Sequence, residues 1–164
     1  MKPESLHMFL KKLFLLSGFI FALQNPVPAF AGIENHQLCV LSFPEKNILW
    51  EQNLTQTGTA FSLFFIHSVS KTEVEDKYHF SGERIIQNAE IFEAHGAGLP
   101  SLKNEVNETS WSHVDGKFVL ALDRPIDTLI IRVNPEYRNR LTFKNTTIDL
   151  TQWGRRALLI ELCH

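Results

Sequence analysis

The feature that most constrains the fold is a series of short apolar stretches, rich in β-branched and aromatic residues, separated by turn signals. Such stretches are typical of strands, and amphipathic helical periodicity is almost absent. The predicted strands are residues 37–43, 48–52, 60–68, 74–80, 84–93, 117–122, 128–133, 141–143, 147–150 and 156–162. Predicted turns lie at residues 44–47, 81–82, 115–116, 123–125 and 152–154, and residues 101–110 are predicted to form a loop. The pattern predicts an all-β domain.

The stretch 60–68 indicates how the strands are layered. Alternation places one set of side chains on a face that should form the core: Phe61, Leu63, Phe65 and His67. The other face also carries Phe64 and Ile66, so this strand is predicted to lie centrally and to be covered on both sides. A central strand of this kind predicts a single-domain antiparallel β-sandwich or a barrel-like fold.

The first residues have the three parts of a secretory signal. The basic start contains Lys2, Lys11 and Lys12. Residues 13–23 form an apolar run, and Ala29-Phe30-Ala31 provides small residues beside a cleavable bond. Because the run is shorter than the about 20 residues that a spanning helix needs, we expect cleavage after Ala31 and no membrane span thereafter. An uncleaved signal that serves as an anchor is the alternative.

The charge of the remaining chain restricts its partners. Residues 32–164 are long enough for one domain with a buried core. Their formal charge is −4 with histidines neutral, which argues against a nucleic-acid groove because such grooves need clustered positive charge. One basic cluster is visible: Arg132, Arg138, Arg140 and Lys144. Because Glu136 and Asp149 lie among these residues, we interpret the cluster as a solvated edge.

Cys39 lies in the first predicted strand, and Cys163 directly follows the last one. In an oxidising compartment such a pair is readily interpreted as a disulfide. The alternative is two unpaired, buried cysteines that act as small hydrophobic residues. Neither belongs to a C-x-x-C pair, so we predict no metal site from them.

Most of the reactive side chains and special backbone residues lie in residues 61–100. If residues 70–73 form a four-residue hairpin loop, His67 lies opposite Asp76. If Ser81-Gly82 then forms a two-residue loop, Asp76 lies opposite Gln87. This register puts His67, Asp76 and Gln87 on one face of the sheet and Glu75 on the other, and a slip of one residue would exchange the faces.

The order of short motifs in this region resembles a bacterial family known as domain of unknown function 1850. The motifs are His67-Ser68-Val69 with Lys71-Thr72 and Glu75, then Glu90-x-Phe92, then Gly96-Ala97-Gly98-Leu99-Pro100. The resemblance is looser over residues 37–54 and 118–162. It implies a small exported protein, often encoded beside tripartite ATP-independent periplasmic transporters of the TAXI type. In these transporters an extracellular binding protein captures a solute for a membrane permease; the resemblance implies no activity for the chain itself.

We expect these motifs to form a recognition surface. Its candidate residues are His67, Ser68, Lys71, Thr72, Glu75, Glu90, Gly96, Gly98, Leu99 and Pro100. Adjacent strand residues point to opposite faces, so His67 is poorly placed to take the proton of Ser68. No ligand pair has a diagnostic metal spacing, and no lysine follows the glycine loop as in a phosphate-binding loop, so neither a metal nor a cofactor is expected.

The chain is therefore predicted to be a periplasmic or secreted, non-catalytic accessory or binding protein. Its expected partner is a periplasmic solute-binding protein or the permease of the transporter. Two alternatives stay open. One is a small periplasmic hydrolase or metal-dependent enzyme that uses His67 with Asp76 or Glu75. The other is a structural role, in which these polar side chains bond one another and hold the hairpins in register.

Overall fold

The computed structural model describes residues 36–55, 58–94 and 108–163, and most of these residues lie in strands. The strands are β1 (Gln37–Phe43), β2 (Ile48–Asn53), β3 (Ala60–Ile66), β4 (Glu73–Ser81), β5 (Arg84–Phe92), β6 (Glu108–Val114), β7 (Lys117–Ile126), β8 (Leu129–Val133), β9 (Arg140–Phe143), β10 (Thr146–Asp149) and β11 (Arg156–Cys163). The 3₁₀ helices Pro135–Tyr137 and Leu150–Trp153 follow β8 and β10. The all-β prediction is confirmed. Within the described ranges, no helix has the length and apolar character needed to cross a bilayer.

The strands form two antiparallel sheets packed together as a sandwich. The smaller sheet has the order β2-β1-β11-β8, and the larger has the order β10-β9-β3-β4-β5-β7-β6. Strand β3 lies inside the larger sheet, between β9 and β4, as its two apolar faces predict. This central strand and its partner β4 carry most of the motifs found in the sequence.

The main core lies between the two sheets. The smaller sheet contributes Leu38, Val40, Leu158 and Ile160, and the larger contributes Phe61, Leu63, Phe80, Leu141 and Phe143. The Phe61 ring stacks on Tyr78 with 5.1 Å between ring centroids. Each large side chain buried in this way stabilises the fold by about 1.5–3 kcal/mol relative to an exposed one. The core therefore fixes which face of β3 and β4 points inwards.

A second apolar cluster lies farther along the larger sheet. Val74 and Phe92 are buried there, and Phe65, Trp111 and Phe118 pack against them. Trp111 belongs to β6, which was not predicted as a strand because Trp111 and Val114 are its only large apolar residues. The prediction of a turn at residues 123–125 is also wrong, because β7 continues through them and pairs with β5.

The register of the β3–β4 hairpin differs from the predicted one. The loop comprises residues 68–71, and it is closed by hydrogen bonds from His67 N to Thr72 O at 2.9 Å and from Lys71 N to His67 O at 3.0 Å. As a result Leu63, and not His67, lies opposite Asp76. The loop begins two positions earlier than predicted, so the residue opposite Asp76 moves by four positions, from His67 to Leu63, which is an even displacement. The faces of the strands therefore agree with the prediction although the partners do not.

The β4–β5 hairpin turns one residue later than predicted. Ser81 lies opposite Arg84, so the two loop residues are Gly82 and Glu83. Gly82 has a φ of 61°, a conformation that glycine adopts without steric cost. The predicted pairing of Asp76 with Gln87 is consequently wrong. Tyr78 lies opposite Gln87, and a register shift beyond it brings Asp76 opposite Glu90.

A disulfide joins Cys39 of β1 to Cys163 of β11. In the strand register Cys39 lies opposite Glu161, so the bridge runs diagonally between paired strands. Cys39 is buried on the outer face of the smaller sheet together with Leu41 and Leu159. The interpretation of the two cysteines as a disulfide is confirmed.

Replacing both cysteines by Cys39→Ala and Cys163→Ala is expected to lower the free energy of unfolding by about 2–4 kcal/mol. The cross-link spans 124 positions of the chain and so restricts the unfolded ensemble strongly. Urea unfolding of the oxidised protein and of the double variant measures the loss. Reductant should destabilise the wild type to a similar extent and leave the variant unaffected. Equal stability of the oxidised wild type and the variant would contradict this account.

Candidate functional site

A buried histidine organises the turn between β3 and β4. The side chain of His67, which is 9% exposed, has its Nδ1 3.2 Å from the backbone N of Ser70 and 3.4 Å from that of Val69. The Ser70 Oγ lies 3.1 Å from the same ring nitrogen. Because a backbone N–H can only donate, Nδ1 must accept, and in the neutral ring the proton is carried by Nε2. We name residues 67–72 the histidine turn, since His67 is its internal acceptor.

The remaining residues of the histidine turn divide into internal and exposed ones. Ser70 Oγ lies 3.0 Å from Thr72 Oγ1, so these hydroxyls bond each other inside the turn. Lys71 has a φ of 58°, in the left-handed region, and its side chain is exposed. Ser68, Val69 and Lys71 are exposed, and Val69 keeps 61% of its surface accessible. The turn thus presents these three side chains on a hydrogen-bonded support.

The carboxylates on the outer face of β4 are matched by nearby donors and cations. Glu75 accepts a hydrogen bond from Ser62 Oγ at 2.9 Å. Glu73 forms an ion pair with Arg140, whose guanidinium also lies over the Phe64 ring at 5.5 Å from the centroid. These contacts bind β3, β4 and β9 together on the solvent side.

A second group of polar side chains lies on the inner face of the larger sheet. This inner polar layer consists of Asp76, Tyr78, Gln87, Glu90 and Arg124. Asp76 accepts from Gln87 Nε2 at 3.0 Å and from the Tyr78 hydroxyl at 3.3 Å. Arg124 Nη1 donates to Gln87 Oε1 at 3.1 Å. The layer separates the main core from the cluster around Phe92.

Burial raises the pKa of Asp76 to about 6, although the hydrogen bond from Tyr78 and the charge of Arg124 oppose the shift. Burial and the neighbouring Asp76 also raise the pKa of Tyr78 above its ordinary value. Asp76 and Tyr78 line a small cavity of about 60 Å³ together with Asn139. A buried water needs about 10–15 Å³ of such space, so the cavity can hold water beside the carboxyl group.

The structure brings together some of the predicted site residues and separates others. His67, Ser68, Lys71 and Thr72 form one turn, and Glu75 lies on the outer face of β4. Glu90 is 8% exposed and points into the sandwich, so placing it on a recognition surface was wrong. Gln87 also points inwards, and the register shift between β4 and β5 makes Glu90 the next inward side chain along β5. Four predicted residues lie outside the described part of the chain: Gly96, Gly98, Leu99 and Pro100.

Sequence reasoning missed three residues that complete these networks. Ser70 was assigned to a hairpin loop without a role, and Arg124 was assigned to a turn. Tyr78 was placed in the predicted strand 74–80 without a role. The alternation of β4 did contain a signal, because Asp76 shares its parity with the buried Val74. A charged residue at an inward position predicts polar partners around it.

The chemistry available to the histidine turn favours binding over bond cleavage. The Ser70 hydroxyl contacts the His67 ring, but Nδ1 has one lone pair and two amide donors already compete for it. A nitrogen engaged in this way is a poor general base. Among described residues, only Cys39, Glu51 and Cys163 bring three ligand atoms within 4.8 Å of one another. The two sulfur atoms of that group form the disulfide, so they are not available as metal ligands.

Comparison with known families matches residues 61–150 to a family described as "Domain of unknown function (DUF1850)". The matched segment covers more than half of the chain. It runs from the second residue of β3 to the first residue of the second 3₁₀ helix. It includes the histidine turn and the inner polar layer. Comparison with curated proteins and with solved structures gives no match.

The substitution Asp76→Asn is expected to remove a pH dependence of stability. The folded-state pKa of Asp76 is about 6 against 3.8 for an ordinary aspartate, so the folded protein holds this proton more tightly than the unfolded chain. The resulting stabilisation is complete below pH 3.8 and is lost as pH rises through 6. Urea unfolding from pH 4 to 7.5 should show the variant gaining about 2 kcal/mol on the wild type, less than the full shift because Asp76 keeps some exposure.

The control for Asp76→Asn is Ser81→Ala, which changes an exposed, non-ionisable residue of the same strand. The stability of this variant relative to the wild type should stay constant over the pH range in which Asp76 titrates. A difference between Asp76→Asn and the wild type that stayed constant with pH would contradict the buried-carboxyl account.

Two substitutions at His67 distinguish the contribution of its hydrogen-bond acceptor from that of its side-chain volume. His67→Leu removes the acceptor for the Ser70 amide and is expected to cost about 1–2 kcal/mol. His67→Asn places an oxygen near the position of Nδ1 and should preserve more of the turn. Hydrogen exchange of the Ser70 amide, measured by NMR, reports the turn directly. Equal protection of this amide in the two variants would contradict the role assigned to His67.

Proposed function

The chain belongs to the DUF1850 family, and from this membership and the geometry of the histidine turn we propose that it is an exported, non-catalytic binding protein. The histidine turn is proposed as the surface that contacts a protein partner. The observation that supports the proposal most strongly is the division within this turn. His67 is buried and holds the loop, whereas Ser68, Val69 and Lys71 point outwards.

A rigid turn with an exposed apolar tip suits protein recognition. Isolated apolar residues are common on protein surfaces and need no explanation by themselves. Val69 differs because the hydrogen bonds of His67 and Ser70 fix the loop that carries it. A preordered loop loses little conformational entropy on association, so more of the contact energy contributes to affinity.

The proposed partner is the solute-binding protein or the permease of a TAXI-type tripartite ATP-independent periplasmic transporter. The resemblance of the motifs in residues 61–100 to exported proteins encoded beside such transporters motivates this choice. Export is proposed to use residues 1–31 as a signal that is cleaved after Ala31. The disulfide between Cys39 and Cys163 supports an oxidising compartment, because disulfides persist there and are rare in the cytosol.

The hydrolase or metal-dependent alternative has less support. It uses His67 with Asp76 or Glu75, but the residues opposite these carboxylates are Leu63 and Phe64. His67 lies beyond the end of β3, where its Nδ1 accepts from the amides of the turn. The geometry therefore favours a binding role for this hairpin.

The substitution Val69→Asp is expected to reduce recovery of a transporter component at least about tenfold, because a charge at the centre of an apolar contact is costly to desolvate. The tagged full-length protein, produced in its native host, is captured from the cell envelope after mild crosslinking. Bound solute-binding protein or permease is then quantified by mass spectrometry.

The matched control is Val114→Asp, since Val114 is a similarly exposed valine, 52% accessible, in β6. This variant should retain the wild-type yield of partner. Equal recovery with both variants would refute the assignment of the surface. Absence of every transporter component from the wild-type sample would refute the assignment of the partner.

A further inference from the structure

Three arginines line one pocket at an end of the smaller sheet. Arg132 lies on β8, and Arg155 and Arg156 lie at the start of β11. In the antiparallel register Val133 is opposite Arg156, and Ala157 is opposite Arg132. Because directly paired residues share a face of a sheet, Arg132 and Arg156 lie on opposite faces and reach the pocket around the ends of β8 and β11. The cavity between them has a volume of about 470 Å³, and we name it the arginine pocket.

Local backbone structure builds two walls of the arginine pocket. Gly154 precedes the two arginines with a φ of 81°, which turns the chain from the second 3₁₀ helix into β11. On the opposite side, Asn134 caps the first 3₁₀ helix through a hydrogen bond from Glu136 N at 3.2 Å. That helix places Tyr137 on the wall of the pocket. The arrangement thus rests on ordered elements of the fold.

The charge of the arginine pocket is of one sign. Its lining contains no acidic residue, and in the described ranges no ion pair involves Arg132, Arg155 or Arg156. The carboxylates that interrupt the basic segment in the sequence are directed elsewhere. Glu136 lies near Lys71, and Asp149 accepts from the Thr151 amide at 2.9 Å. Positive charges that line a pocket without a counter-charge attract an anion to it.

A second cavity of similar size shows that this charge is not a general property of the surface. It has a volume of about 480 Å³, and Phe43 and Ile126 are among the residues that line it. Its lining combines Lys46 with Glu83 and Asp127, so its charges are mixed. The arginine pocket is therefore the better candidate for a ligand of defined charge.

We infer that the arginine pocket binds a small organic polyanion, a di- or tricarboxylate or a phosphate ester. Guanidinium groups present paired N–H donors that match the oxygens of carboxylates and phosphates. A volume of about 470 Å³ lies within the range of small-molecule sites and exceeds the needs of a bare oxyanion. Tyr137, Val133 and Ala157 supply a less polar wall for an organic body. This inference does not depend on the partner proposed for the histidine turn.

Titration calorimetry of the full-length mature protein at low ionic strength tests the inference. The probes are citrate for the carboxylate class, glucose 6-phosphate for the phosphate-ester class, and inorganic phosphate as the bare oxyanion. We expect saturable binding of at least one organic probe, tighter than that of inorganic phosphate and weakened by added salt. Binding of citrate alone or glucose 6-phosphate alone would assign the class, and binding of both would assign a general oxyanion site.

Arg132→Gln and Arg156→Gln are each expected to weaken binding of the organic probe about tenfold or more, because each removes charge-assisted hydrogen bonds. Arg84→Gln changes an exposed arginine of the β4–β5 hairpin and should leave the affinity unchanged. Thermal unfolding without ligand checks that all three variants are folded. No saturable binding of either organic probe up to about 10 mM, or an equal loss with Arg84→Gln, would overturn the inference. Loss of a captured protein partner in the pocket variants, without small-anion binding, would also overturn it.

Discussion

The central hairpin depends on the hydrogen bonds that His67 Nδ1 accepts from backbone N–H groups. They fix residues 68–71 as the loop, and this loop sets the register between β3 and β4. The register in turn places Asp76 in the inner polar layer and leaves Glu75 on the outer face. A different loop would move every cross-strand partner of β4. One side chain at a turn therefore determines the surroundings of residues several positions away.

The alternation of apolar side chains predicted the layers of the fold but not the details of strand pairing. β1 was predicted with its observed bounds, and β3 was correctly placed inside a sheet, because burial on one or both faces leaves a direct trace in the sequence. β6 leaves a weaker trace, since Trp111 is its main contribution to the apolar cluster. Register was not predictable in this way, because it depends on which side chain caps the turn.

The sequence predicted which region holds the candidate site but not how its side chains are arranged. The sequence correctly grouped Asp76 and Gln87 on the inward face, because parity survives an even displacement of the hairpin. It misjudged Glu90, since the register shift on β5 places this residue in line with the buried side chains. The arginine pocket was hidden for another reason. Arg132 and Arg156 are far apart in the sequence and line one pocket only because β8 pairs with β11.

The first 3₁₀ helix, Pro135–Tyr137, physically connects the two surfaces. Glu136 lies 3.9 Å from Lys71 of the histidine turn, and the next residue, Tyr137, lines the arginine pocket. Both ions of the first contact are exposed, so the ion pair itself stabilises the link little. This ion pair by itself therefore offers little resistance to a displacement of the helix. If an anion in the pocket moves this helix, linkage requires that partner and anion alter each other's affinity by the same factor.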